Sequence, residues 1–195
     1  MEIVRRYQNL VTEQLVINTI EDNFNIELNN NQRKIITDAE KGRATLRVLP
    51  RQSGKTHALI LHMLYTMFYN PSNEQMVFFY VVPKRPVTTY IEETIQELCD
   101  GISNWHISEH YQEGINMNIH GHRIIILTSG IAQLRGAINT TSNIDNYLYL
   151  DELLPTEWEE GMSYMSMFKK IVCSLTPKES EQKQEYMMSM EALSQ

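Results

Sequence analysis

Cysteine is almost missing from this chain: Cys99 and Cys173 are the only two among 195 residues, and both lie inside apolar segments. A disulfide framework is thereby excluded, and a reducing compartment is favoured over a secreted one. Long apolar runs are missing as well. None approaches the roughly 20 residues that a membrane-spanning helix needs, and the opening Met1-Glu2-Ile3-Val4-Arg5-Arg6 lacks the apolar centre of a signal peptide. A soluble protein with no membrane partner is expected. Positive charge is in deficit too: 17 Lys and Arg against 24 Asp and Glu leave a net charge of −7, which argues against a domain that coats nucleic acid by bulk electrostatics. Local basic groups persist at Arg43, Arg47 and Arg51, at Lys84 and Arg85, and at Lys169 and Lys170, where they could touch phosphates, although most such charges are simply solvated. No cysteine pair accompanies His106 with His110 or His120 with His122, so ordinary polar roles rather than a zinc site are expected of these histidines.

What is present is length enough for one domain with its own core, at 42% hydrophobic content. Ile3, Val4, Leu10, Val11, Leu15 and Ile20 recur at roughly helical spacing, which predicts an amphipathic helix over residues 3–20, placed as a lid or docking arm. Asn29-Asn30-Asn31 supply cap-forming side chains for a second helix over 32–40, ended by Gly42. Alternation then sets in. A strand over 44–49 stops at Pro50, which cannot donate to a ladder, and a helix over 55–69 is apolar on nearly every side. After a turn at Pro71-Ser72-Asn73 comes a continuous β-prone run over 76–82, typical of a strand covered on both faces. Pro83 and Pro86 punctuate before a helix over 88–99. A hairpin of 115–119 and 122–127 turns at Gly121, and strands over 147–150 and 171–174 follow. The polar tail from 178 to 195 reads either as a final helix or as frayed chain. This alternation predicts a three-layer α/β architecture around one sheet.

Two stretches carry chemistry. Arg51-Gln52-Ser53-Gly54-Lys55-Thr56 lies between a predicted strand and a predicted helix, where backbone N–H groups and the helix N-terminus form a cradle for polyphosphate. Lys55 would reach the β- and γ-phosphates and Thr56 a Mg²⁺ ion. The match to the eight-position phosphate loop is incomplete, because Leu49 stands where its first Gly is expected. The second stretch is Tyr147-Leu148-Tyr149-Leu150-Asp151-Glu152, a buried strand with two acids at its C-terminal tip. In a parallel sheet that tip faces the same crevice as the phosphate loop. Asp151 can then hold Mg²⁺ through its shell while Glu152 orients and deprotonates the attacking water.

Four landmarks in order, Gln32, Arg51 to Thr56, Asp151-Glu152 and Ser174-Leu175-Thr176-Pro177, resemble the ATPase domain of the large terminase subunit, the motor that packages double-stranded DNA into tailed-phage and herpesvirus-type capsids. The resemblance covers about residues 28–178. Those proteins carry a deviant phosphate loop with an Arg in the early glycine region, which Arg51 fits, so the departure at Leu49 favours this family. The resemblance implies that Gln32 reads the adenine edge, a task suited to an amide that both donates and accepts. It implies that Arg51 reaches the γ-phosphate with its permanently charged fork, that Gln52, Ser53 and Gly54 line the phosphates, and that Ser174 and Thr176 sense the γ-phosphate or its water. Arg135, in Leu134-Arg135-Gly136, is the candidate finger acting in trans, and Lys84 and Arg85 are candidate DNA contacts.

The fold implied is a P-loop NTPase of the additional-strand, catalytic-glutamate type, with a mainly parallel sheet flanked by helices. Residues 1–27 would form the helical arm, 28–178 the ATPase core and 179–195 the tail. ATP and Mg²⁺ are the implied cofactors. The implied partners are double-stranded DNA, further copies in a pentameric ring, the portal and the small terminase subunit. The implied location is inside the host cell, in the cytoplasm or, for a herpes-type virus, the nucleus, docked on a procapsid. The RNase H-like nuclease of a full large terminase has no counterpart in these 195 residues, so no DNA cleavage is expected of the chain itself. Two rival readings share the pattern in part. A helicase-type ATPase also has a Gln before the loop and an Asp-Glu after a strand, but calls for a second recombinase-like domain. A nucleotide-binding assembly module would keep the loop and lose hydrolysis.

Overall fold

The computed structural model describes residues 2–69, 75–82, 85–100, 105–111, 114–119, 121–128, 134, 138, 144–152 and 166–176; for 2–11, 85–86 and 105–111 the backbone alone is described. The turn read at 71–73, Pro83, Lys84, His120, Arg135, Pro177 and the tail from 178 lie outside the described residues, as do the side chains of Arg85, His106 and His110.

The first helix, α1 (Glu2–Phe24), runs one turn further than the apolar spacing predicts. Its second half buries Val16, Ile17, Ile20 and Phe24, whereas Leu15, counted in the predicted stripe, is 63% exposed. The buried stripe centres about 150° round the helix from Leu15, because each residue turns an α-helix by about 100°. Asn25, at φ 50°, then takes the left-handed conformation that ends helices and that Asn tolerates better than most residues. The next helix, α2 (Asn30–Lys41), opens with a capping box: Asn29 Oδ1 accepts from the N–H groups of Asn31 and Gln32, and the Asn29 N–H donates to Gln32 Oε1 at 2.9 Å. Three otherwise orphaned N–H groups are satisfied in this way.

From there strand and helix alternate: β1 (Ala44–Val48), α3 (Lys55–Tyr69), β2 (Gln75–Val81) and α4 (Arg85–Cys99). After them come β3 (Trp105–Tyr111), β4 (Gly114–Ile119), β5 (His122–Leu127), β6 (Ile144–Asp151) and β7 (Lys170–Leu175). They build one sheet in the order β1-β7-β6-β2-β5-β4-β3. All pairs from β1 to β5 are parallel, while β5-β4 and β4-β3 are antiparallel. The fold is thus the expected α/β type, with a mainly parallel sheet flanked by helices.

One strand escaped the sequence pattern. Trp105–Tyr111 mixes apolar residues with His, Ser and Glu, and among the described residues this edge strand pairs with β4 alone, with an irregularity between Ile107 and Glu109. Edge strands tolerate such polar content because one side of the ladder meets water.

Period-2 alternation splits β2 between two cores. Phe78 and Tyr80 face the layer of α1 to α4 with Ile20, Ile35, Leu59 and Ile91, while Val77, Phe79 and Val81 face the other side with Leu148, Leu150 and Phe168. Burial on both faces explains the unbroken apolar run. It also fixes the register that aligns the carboxyl ends of β1, β7, β6 and β2.

Candidate active site

The phosphate loop starts where β1 ends. The Leu49 N–H still donates to Leu175 O at 2.9 Å, Pro50 then releases the chain from the ladder, and α3 begins at Lys55 with the Ala58 N–H on Gly54 O at 3.0 Å. Gln52 and Gly54 hold positive φ angles of 59° and 81°. At Gly54 the requirement is double, since a Cβ there would come within 2.8 Å of Gln32 Nε2 as well as strain the backbone. Gln32 is therefore buried directly against the loop, and Asn29 Nδ2 reaches Ser53 O at 3.4 Å. Ser53 Oγ is buried and finds no hydrogen-bond partner among the described residues. Lys55, only 6% exposed, curls its ammonium into the mouth of the loop. It donates to Pro50 O at 3.0 Å, Leu49 O at 3.4 Å and Thr176 Oγ1 at 3.1 Å, and stands 3.2 Å from Glu152 Oε1.

The acids arrive on β6. Parallel pairing sets Asp151 opposite Ser174 on β7. Thr56 Oγ1 donates to Asp151 Oδ2 at 2.5 Å, Ser174 Oγ donates to Oδ1 at 3.0 Å, and the Tyr80 hydroxyl lies 3.5 Å from Oδ2 and 3.4 Å from Thr56 O. Burial raises the Asp151 pKa above the usual carboxylate value; the Thr56 and Ser174 hydroxyls and Lys55 oppose that rise, and the Glu152 charge adds to it. Glu152 itself sits at φ 58°, a conformation that costs a non-glycine residue on the order of 1–2 kcal/mol. Its N–H donates to Ser174 O at 3.0 Å, and its carboxylate accepts from the Thr176 N–H at 2.9 Å and from the Thr176 hydroxyl. The strained residue is held at both its backbone and its side chain.

The residues present fit a Mg–nucleotide. A lysine ammonium, an unpartnered buried hydroxyl and a glycine-shaped cradle serve polyphosphate. The adjoining hard oxygens of Thr56 and Asp151 are of the kind that hold Mg²⁺. All the predicted nucleotide-site positions, Gln32, Arg51 to Thr56, Asp151, Glu152, Ser174 and Thr176, fall at this end of the sheet, with Arg51 and Gln52 exposed at its surface.

Several basic groups singled out for phosphate contact already have partners within the chain, Arg47 and Lys169 at its surface. Arg43 donates to Phe168 O at 3.1 Å and Ser166 O at 2.9 Å, Arg47 pairs with Asp38, Lys169 pairs with Asp145, and Lys170 donates to Ala39 O at 2.6 Å. Two contributors were not picked out from sequence. The sequence pattern marks Asn29 as a cap only and Tyr80 as one more apolar residue of β2; a hydroxyl at the C-terminal end of a buried strand is the signal that points to Tyr80.

A family model described as DEAD/DEAH box helicase matches residues 29–189. No curated protein sequence matches the chain. Among solved structures, the large terminase ATPase domain of Thermus phage P74-26 has the same fold, with a TM-score of 0.54, 16% identity, and coverage of 85% of this chain and 71% of that one. The large terminase of a second, thermophilic bacteriophage aligns with a TM-score of 0.58 at 11% identity, over 87% of this chain but only 44% of its own length. A crystal form of that terminase in complex with ADP aligns with a TM-score of 0.51 at 12% identity, over 77% of this chain and 38% of that one. At these identities the likeness is one of fold. Among the described residues no helix is long and apolar enough to cross a membrane.

Proposed function

Since this chain belongs to the DEAD/DEAH box helicase family, whose members are P-loop ATPases, we propose that it is a Mg²⁺-dependent ATPase that converts ATP to ADP and phosphate and translocates double-stranded DNA as the motor domain of a large-terminase-type packaging machine. The observation that carries the reading is the joint geometry of Lys55, Asp151, Glu152 and Thr176: Ser174 on β7 and Thr176 just beyond its end are bonded to both acids and to the loop lysine.

The chemistry follows from those contacts. Thr56 and Asp151 would hold Mg²⁺, which would supply positive charge against the polyphosphate. Lys55 leaves Glu152 and Thr176 for those phosphates, because a polyphosphate carries more negative charge than one carboxylate. That exchange frees Glu152 to turn toward water, orient it and accept its proton. Thr176 thereby reports to β7 whether a γ-phosphate is present. Exposed Arg51 reaches the γ-phosphate, and Gln32 reads the adenine edge from its seat on Gly54.

Residues 28–178 form the ATPase core in this reading, with 1–27 as an arm and 179–195 as a tail. The partners are double-stranded DNA, a ring of copies (five by the terminase resemblance), a portal and a small subunit, inside the host cell on a procapsid. Lys84 and Arg85 touch DNA, and Arg135 acts in trans. A second reading, strand separation by a helicase-type ATPase, is favoured by the family match itself.

Two measurements decide. Glu152→Gln is expected to lower single-site ATP turnover by about 10²–10³-fold while ATP binding persists; unchanged turnover sinks the ATPase reading. Turnover stimulated by blunt duplex DNA without strand separation supports the motor, whereas unwinding of a forked duplex supports the second reading.

A further inference from the structure

Away from the nucleotide end, α3 carries a second polar centre that the proposed chemistry does not use. His62, wholly buried, stands nearly two turns beyond Thr56, about 9 Å along the helix. Its Nε2 lies 2.8 Å from Glu40 Oε1 and its Nδ1 lies 2.8 Å from the Tyr149 hydroxyl. Glu40 belongs to the last turn of α2, and Tyr149 precedes Asp151 by two residues on β6. Lys170, the first residue of β7, lies 3.6 Å from Glu40 and donates to Ala39 O at 2.6 Å.

The directions of the hydrogen bonds follow from chemistry. Burial lowers the His62 pKa, so the ring is neutral. Glu40 is held below its usual value: burial alone would raise it, but His62 and Lys170 outweigh that. An ionised carboxylate only accepts, so Nε2–H donates to Glu40 and Nδ1 accepts from Tyr149 O–H. The same α2 helix carries Gln32 at its other end, about 12 Å away along the axis, pressed on Gly54. The helix is therefore pinned twice, to the phosphate loop by its first turn and to α3, β6 and β7 by its last.

We propose that Glu40, His62 and Tyr149 are positioning residues for nucleotide recognition: by fixing the last turn of α2 they hold Gln32 over the phosphate loop, so that adenine selection depends on a buried contact far from any phosphate. This rests on the reading of Gln32 as the base-contacting residue. A strut matters only for the base; the phosphates are held by Lys55 and the loop backbone, which the contact does not touch.

The test is equilibrium binding of ATP, GTP and inorganic tripolyphosphate to the full chain and its variants. Glu40→Ala is expected to lose about tenfold in ATP affinity and most of the ATP-over-GTP preference, the size of one lost buried hydrogen bond. Its tripolyphosphate affinity should stay within about twofold, and Glu40→Gln, which keeps an acceptor for His62, should restore the preference. A preference unchanged in Glu40→Ala, or tripolyphosphate affinity falling in step with ATP, overturns the proposal. Tyr149→Phe, which removes only the hydroxyl, decides the matter in the same assay where Glu40→Ala does not fold. Gln32→Ala separates the two levels: if it leaves the preference intact, the base-reading role fails and this inference with it. If it abolishes the preference while Glu40→Ala and Tyr149→Phe keep it, this inference alone fails.

Discussion

Two polar clusters border α3, and they differ in every respect that separates a working site from a scaffold. At the helix N-terminus, Lys55, Thr56, Asp151, Glu152, Ser174 and Thr176 crowd together beside two non-glycine residues at positive φ, Gln52 and Glu152, and beside the unpartnered Ser53 Oγ. Nearly two turns on, His62, Glu40, Tyr149 and Lys170 form a chain in which both ring nitrogens of the histidine are matched and none of the four has an unusual backbone angle. The first cluster stores strain and spare hydrogen-bonding capacity, which a ligand can relieve. The second has neither to give. Stability and chemistry thus occupy neighbouring but separate stretches of one helix.

That contrast breaks most visibly through Lys55. Lys55→Ala should abolish detectable ATP binding and cut phosphate release by at least about 10³-fold, yet leave the thermal midpoint within a few degrees, since the ammonium serves the ligand more than the core. A midpoint falling as steeply as turnover would erase the distinction. The converse change is His62→Ala, which removes one hydrogen-bond partner from the buried Tyr149 hydroxyl, takes the ring N–H from Glu40 and opens a cavity. It should cost about 3 kcal/mol in urea unfolding, a larger stability loss than any substitution in the nucleotide cluster.

The smallest effect is one of pH. Burial holds the His62 pKa in the folded protein below its ordinary 6.5. Between those two values the unfolded chain binds the extra proton, so stability is full above about 6.5 and declines as pH falls below it. Glu40 is depressed below its ordinary 4.5, so its contribution is lost in the same direction at still lower pH. The groups facing the ring are Glu40, Tyr149 and Lys170. Urea midpoints measured from pH 7.5 to 5 should fall for the wild-type chain and flatten in His62→Ala; equal slopes would remove His62 as the cause.

Much of this was legible residue by residue. The capping asparagine, the loop from Arg51 to Thr56, the helix over 55–69 and the apolar run ending in Asp151-Glu152 announce themselves because each signal lies within a few neighbouring positions. The polar content of Trp105–Tyr111 hid a strand, because pairing at a sheet edge needs no apolar face that sequence can display. Leu15 shares the apolar spacing of α1 yet faces water, because apolar residues recur on more than one face of that helix and only the packed neighbours choose between them.

Outside the edge strand Trp105–Tyr111, the kind of element and the chemical equipment at the strand ends follow from local propensity and from residue type alone. Which of those groups meet is a matter of long-range packing. Lys55 and Thr176, Thr56 and Asp151, and Glu40 and His62 are brought together by strand order and register in the parallel sheet and by the packing of α2 on α3, across 121, 95 and 22 residues of chain. Such partners share no periodic pattern, because burial of the two sheet faces sets the register that joins them.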